Sequence, residues 1–263
     1  MKLIKEIFKY RELLKNNVKK EVRGRYKNSI LGVMWTFLNP LLQIAVYAMI
    51  FPYILKQQQP YYLIFVCVGL IPWSFFTTTI IQSTNTIIGN ANIVKKVYFP
   101  REILPLSVVL SGAINFLIAV IIIIAFCIGG GKGITWHIII FPIILLLQMI
   151  LQLAISFVLS AVTVYIRDIE HFVQIVLMLM FYATPIVYST ATLDGSTTTA
   201  RFMKKVIMLN PMTTIIEGYR SIFYTQTLPD FKGIGIWYII SIALLFIGWL
   251  IFKKLQKGFA EEL

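Results

Sequence analysis

Residues 103–128 read ILPLSVVLSGAINFLIAVIIIIAFCI, 26 positions without one Asp, Glu, Lys or Arg. A bilayer core needs about 20 apolar residues in helical form. The run shows no period-2 alternation and is far longer than a barrel strand, so it predicts a membrane-spanning helix. Working outward, similar charge-free stretches occupy 33–55, 61–82, 136–165, 172–190 and 234–252. The expected fold is therefore an all-α membrane protein with six transmembrane helices.

Composition agrees. Of 263 residues, 58% are hydrophobic and 13% charged, and the mean hydropathy is +0.81. A soluble domain carries about 25% charged residues. So few charges cannot cover so apolar a core in water, which excludes a soluble enzyme or a disordered scaffold. The net charge of +13 taken alone suggests nucleic acid, but ten of the 24 basic residues fall in the first 27 positions. There, just before the first span, anionic headgroups are the natural partner. Cys67 and Cys127 lie inside apolar runs and read as packing residues. No cleavable leader is expected, because the amino terminus stays charged through Lys27.

With the amino terminus inside, the connections 1–32, 83–102, 166–171 and 253–263 hold 17 of the 24 basic residues. The basic bias sets topology, so both termini are expected in the cytosol. The first segment reads as an amphipathic interface helix. Ile4, Ile7, Phe8, Leu14, Val18 and Val22 share one face at 100° per residue, and most of the lysines point away. Between the fifth and sixth spans, 206–216 is apolar but short and is interrupted at Asn210-Pro211; Glu217 and Arg220 follow, then a second short stretch, 221–228. Neither piece can cross alone. A re-entrant pair on the outer side fits the lengths and charges. The alternative, a seventh span over 206–228, would bury Glu217 and Arg220 and place the Lys253, Lys254, Lys257 cluster outside.

The six spans contain no Asp, Glu, Lys or Arg. Ion-coupled transporters keep an ionisable group in the membrane to bind the coupling ion, so the energy for transport must come from elsewhere. His137 and His171 read as interfacial residues. No pair of carboxylates has the spacing of a general acid and base. Residues 129–133 (GGGKG) lack the Lys-Ser/Thr ending of a phosphate loop and read as a turn. The cytosolic loop 90–101 (NANIVKKVYFPR) is too apolar for a free loop. Seating Val94 to Phe99 in a groove on a partner would explain it, as would a helix lying flat on the membrane. Arg167 and Asp168 offer a second polar contact. Aromatic residues form stripes at helical spacing: Tyr47 with Phe51, Trp73 with Phe76, and Phe181 and Tyr182 beside Met178 and Pro185. Such stripes can pack helices or grip sugar rings.

Taken in order, 25–35 (RYKNSILGVMW), Asn39-Pro40, Pro60-Tyr61, 69–76 (GLIPWSFF), 90–101, Arg167-Asp168, 184–188 (TPIVY), Asn210-Pro211-Met212 and the terminal Phe259-Ala-Glu form one pattern. It resembles the polysaccharide-exporting ABC-2 permeases of the Wzm/TarG type across nearly the whole chain. The resemblance implies a single ABC-2 type transmembrane domain over 1–263. Within it, 1–32 would be a cytosolic interface helix, 33–190 spans one to five, 191–233 an outer re-entrant segment, 234–252 span six and 253–263 a cytosolic tail. It implies a bacterial inner-membrane half-transporter, paired with a second copy and with two ATP-binding cassette subunits that bind ATP and Mg. The chain itself would hold no cofactor or metal and catalyse nothing.

The implied cargo is undecaprenyl-diphosphate-linked polysaccharide, O-antigen first, with teichoic acid, capsule or a small molecule as alternatives. A membrane-embedded transferase or a scaffold for a biosynthetic complex are competing classes. By the same resemblance, Trp35, Tyr47, Phe51, Trp73, Phe76, Phe181 and Tyr182 would line the channel. Ile93, Val94, Lys95, Lys96, Val97, Tyr98, Phe99, Pro100 and Arg101, with Arg167 and Asp168, would couple to the ATPase. Arg23, Arg25, Tyr26 and Lys27 are expected to receive the carrier's diphosphate, since cations and a phenol suit a dianionic group. The stretch 189–205 departs from the family pattern by lacking a proline.

Overall fold

A computed structural model describes residues 9–24, 34–55, 60–190 and 198–263. All of its regular structure is helical. In chain order the helices are α1 (Arg11–Gly24), α2 (Trp35–Leu55), α3 (Tyr62–Thr84), α4 (Ala91–Lys96), α5 (Ile103–Gly129), α6 (Phe141–Tyr165), α7 (Ile169–Tyr182), α8 (Thr198–Met208), α9 (Pro211–Arg220), α10 (Phe231–Leu255) and α11 (Phe259–Glu262). Among the described residues four helices are long and apolar enough to cross a membrane: Tyr62–Thr84, Ile103–Gly129, Trp136–Tyr165 and Phe231–Glu262. Two shorter apolar helices, Phe37–Pro52 and Ile169–Tyr182, accompany them. The chain is thus an all-α, multi-pass membrane fold.

The centre of the bundle is α3, which packs against α2, α5, α6, α7 and α9. Its Pro72 lies inside the helix. The Pro72 carbonyl accepts from Gln148 Nε2 at 2.9 Å, and Gln148 Oε1 in turn accepts from the Tyr219 hydroxyl at 3.0 Å. A buried polar relay therefore ties α3, α6 and α9 together, as polar side chains do where no water is available. At the edge, α10 leans on α6 and shows most of its surface outward, including Ile239, Ile242 and Phe246. Gly248 permits that contact, because a Cβ there would lie 2.6 Å from the Ala154 carbonyl oxygen.

The fifth apolar helix departs from the sequence reading. Instead of spanning 172–190, α7 has 14 residues and ends at Tyr182, about 21 Å at 1.5 Å per residue. Pro185 has no N–H to donate, and the residue before a proline avoids helical geometry. The chain from Thr184 to Val187 is non-helical yet buried. Irregular backbone at such depth is tolerated when protein surrounds it.

The segment before α10 also divides differently. Asn210 caps α9: its Oδ1 accepts from the Met212 N–H at 3.0 Å, with Pro211 at the first helical position. The turn therefore falls at 209–210, and α9 continues through a π-helical turn, Ser221–Thr225. Glu217 and Arg220, read from sequence as part of a connection between two pieces, sit within one helix. Met212, Ile215, Ile216 and Tyr219 of that helix are fully buried.

Candidate functional site

Six of the seven expected channel aromatics form one continuous row. Tyr47 meets Phe51 edge-on, with ring centroids 5.4 Å apart, and stacks on Phe181 at 5.8 Å. Phe181 also contacts Trp73 at 6.0 Å and Tyr182 at 5.4 Å, and Trp73 continues to Phe76 at 5.6 Å. The row draws on α2, α3 and α7, three elements far apart in sequence. Its members differ in depth: Trp73 and Phe76 are buried behind the others, while Tyr182 is 68% exposed. The visible edge is thus Tyr47, Phe51, Phe181 and Tyr182. Beside it, Phe51, Phe181 and Tyr182 border a largely apolar cavity of about 490 Å³ with Val187, Tyr188 and residues of α8. Trp35 stands apart from the row and lines a different cavity.

Sequence reasoning missed the residue that holds this region together. Arg220 is 2% exposed. Its guanidinium lies 3.6 Å from the centroid of the Phe65 ring, donates from Nη2 to the Ile186 carbonyl at 2.6 Å, and pairs through Nη1 with Glu217 at 3.0 Å. A buried cation needs this kind of paired, stacked seat. Gly69 makes room, since a Cβ there would come within 3.1 Å of both Arg220 Nη2 and the Ile186 oxygen. Neighbouring bonds extend the knot. The Tyr62 hydroxyl donates to the Val187 carbonyl at 2.7 Å, Asn210 Nδ2 donates to Thr184 Oγ1 at 2.8 Å, and the Tyr224 hydroxyl donates to the Pro60 carbonyl at 2.7 Å. The available signal was Glu217 and Arg220 three residues apart in an apolar setting, a spacing that pairs them on one helix face.

At the other end, the loop around α4 turns back on its own chain. Val94 and Phe99 are buried against Ile87, Leu104, Phe157, Val164, Phe252 and Phe259. The expectation that Val94 and Phe99 insert into a partner is corrected by this: both are already packed inside the chain, in the groove made by α6 and the carboxyl-terminal turns. The face left outward carries Ile93, Lys95, Lys96, Val97 and Tyr98, the last 94% exposed. Arg101 donates to the Gln256 carbonyl and lies over the Phe259 ring at 5.7 Å, which locks the loop to the tail. Pro100 is half-buried, and Arg167 and Asp168 are exposed just before α7.

The amphipathic face expected in α1 is observed in part. Leu14, Val18 and Val22 are half-buried while Arg11, Lys15 and Arg23 are exposed. The helix packs on α5, and Lys20 Nζ donates to Asn90 Oδ1 at 2.9 Å. On its outer face Lys15 donates to Glu12 at 2.9 Å, which holds the Glu12 carboxyl below its ordinary pKa. Arg25, Tyr26 and Lys27, and Ile4, Ile7 and Phe8, lie outside the described residues. Among the described residues no group of three or more His, Cys, Asp or Glu is placed to hold a metal ion.

Residues 12–224 match the ABC-2 type transporter family. The chain belongs to that family. It is therefore a membrane permease, a transport subunit without a nucleotide-binding or catalytic module of its own. It is similar over its full length to the O-antigen export system permease protein RfbA of Myxococcus xanthus, at 35% identity covering 100% of both chains. The protein of the same description from Klebsiella pneumoniae is 36% identical over 246 residues, 93% of this chain and 92% of the relative. As a multi-pass member of this permease family, the chain resides in the bacterial plasma membrane.

Proposed function

We propose that this permease forms the membrane-spanning half of an exporter for undecaprenyl-diphosphate-linked polysaccharide, O-antigen in the first instance. Two copies assemble with two ATP-binding subunits, which supply the energy that the charge-free spans cannot. The observation that carries this reading is the likeness to O-antigen export permeases along the whole chain. The aromatic row supports it, because stacked ring faces offer a sliding contact to sugars without fixing any one residue of the polymer.

In this reading the chain crosses the bilayer six times with both termini in the cytosol, supported by the basic bias of the connections. α8 and α9 form the outer re-entrant pair. The outward face of 93–98, with Arg167 and Asp168, receives the ATPase, and Arg23, Arg25, Tyr26 and Lys27 receive the carrier's diphosphate. Teichoic acid or capsule export would use the same mechanism.

The test is removal of the protein from its native cells, followed by measurement of surface glycan and of lipid-linked glycan retained inside. Loss of surface glycan with internal accumulation is the expected result. Unchanged glycan with a change in drug resistance would assign a small-molecule cargo instead. Replacing Arg23, Arg25 and Lys27 together with Gln should lower export while the ATPase still co-purifies. Unchanged export would remove the diphosphate role.

A further inference from the structure

Left-handed backbone gathers at one place in the molecule. Among the described residues the only non-glycine positions with positive φ are Tyr61 and Gln226, both at 55°, and the glycines are Gly131 at 78° and Gly133 at 68°. These residues lie on three segments distant in sequence: the entry to α3, the turn after α5, and the end of the π-helical turn that follows α9.

Lys132 draws the three together. It is half-buried, and its ammonium lies 4.3 Å from the centroid of the Tyr224 ring and 5.1 Å from that of Tyr61. It also donates to the Tyr224 carbonyl. In return Gln226 Nε2 donates to the Lys132 carbonyl at 2.9 Å and to the Gly133 carbonyl at 3.3 Å. The Tyr224 hydroxyl on the Pro60 carbonyl closes the circuit.

A left-handed conformation is unfavourable for tyrosine and glutamine, because their Cβ crowds the following carbonyl. Such residues persist only where their surroundings over-determine them, and they collect at switch regions. The left-handed residue that ends a helix is ordinarily glycine. At Gln226 the penalty is offset while the side-chain amide holds the two carbonyls of the 130–133 turn. The π-helical turn is itself a rare form found mostly at functional sites. Contacts and strain are therefore coupled. Freeing Lys132 loosens the turn that Gln226 grips, and without that grip nothing keeps Gln226 left-handed.

We propose that this clasp is a two-state latch, closed here, whose release lets the π-helical end of α9 part from α3 and α5 while the bundle stays folded. The relay of Gln148, Pro72 and Tyr219 shares no hydrogen bond with it, so the centre can hold while the latch opens. Phe65 links the latch to the Arg220 knot: it meets Tyr224 edge-on at 5.4 Å and carries the guanidinium on its face. The inference stands apart from any choice of cargo.

The experiment is hydrogen exchange, read by mass spectrometry, on the full chain in phospholipid nanodiscs. The peptides followed hold the amides of Ile64, Lys132, Gly133 and Thr227, each bonded within one of the three segments. Peptides from α6 serve as reference. A latch gives the three segments one protection factor, equal within about threefold and well below that of α6. Lys132→Met keeps the aliphatic stem and removes the ammonium. It should speed exchange in all three segments about ten- to a hundredfold and leave α6 unchanged. Lys132→Arg, which can stack on the rings and donate to the carbonyl, should restore most of the protection. Gln226→Gly accepts the left-handed end without its amide bonds. The Thr227 amide should then stay protected while Lys132 and Gly133 exchange faster, so segments that open together in the parent come apart. Unrelated protection factors in the parent, or Lys132→Met acting on one segment alone, would reveal three separate turns and overturn the proposal. So would protection equal to that of α6, since the clasp would then open only with the whole fold. The parent measurement decides the matter even where Lys132→Met fails to fold.

Discussion

The two ends of this permease differ in the balance of contacts that holds them, with rings dominating one and hydrogen bonds to carbonyls the other. At the end bearing α4 and the carboxyl terminus, Val94 and Phe99 are buried among Phe157, Phe252 and Phe259, with ring centroids 5.4 Å apart for Phe157 and Phe252 and 5.7 Å for Phe252 and Phe259. At the other end, a buried arginine, a helix break and a set of tyrosine hydroxyls are tied by hydrogen bonds to backbone carbonyls. Apolar packing has no preferred direction and tolerates small shifts. Hydrogen bonds to carbonyls fix angles and fail when a partner moves. In the function proposed above, the first end would pass on a push from the ATPase. The second is suited to hold one backbone path at the edge of the aromatic row.

Substitutions can break this contrast. The largest effect is expected from Phe99→Ala, which empties a packed aromatic site and should cost about 3–5 kcal/mol, read from thermal unfolding of the purified chain. Arg220→Met comes next. It removes the stacked cation and leaves the Ile186 carbonyl without its donor, about 2–4 kcal/mol together. Arg220→Lys should recover only part, because an ammonium cannot stack and fork in the same way. If Arg220→Met melts like the parent, the knot is not what holds the 184–187 path.

Val97→Asp sharpens the comparison from the other side. Val97 is exposed, so stability should move by less than about 0.5 kcal/mol, while ATP hydrolysis by the assembled transporter should no longer produce export. Preserved coupling would place ATPase contact elsewhere. The smallest effect belongs to Glu12. Its carboxyl is held below the ordinary range by Lys15, so its contribution is present above the unfolded glutamate pKa and lost as pH falls through the folded one. Because Glu12 is exposed and its pair with Lys15 is screened by water, Glu12→Gln should lower the melting midpoint only marginally at neutral pH and not at all in acid.

Much of this was legible in the residues. The 103–128 run and its companions announced helices in lipid, since a long charge-free stretch has no other stable form there. The stripes on α2, α3 and α7 named rings that contact one another, yet periodicity finds a face and not what the face meets, so it gave no sign that Trp73 and Phe76 are buried while Tyr182 is exposed. Pro185 was visible as a residue and not as the end of a helix, because the apolar character continues past it. Arg220 was hidden by arithmetic: a charge near two short apolar pieces reads as a loop. Only contacts from Phe65, Gly69 and Ile186, distant in sequence, make its burial possible.

That arrangement bears on how the protein is made. Phe65 and Gly69 leave the ribosome long before Arg220, and Ile186 between them, so the seat exists before its occupant. An arginine offered to the centre of a bilayer costs about 2.5–3.5 kcal/mol on translocon scales. Residues 211–225 therefore have little reason to enter lipid by themselves. They gain a place only by docking into a cleft that the earlier helices have already shaped. A chain in which 211–225 fails to dock would leave Arg220 without its carbonyl and ring partners.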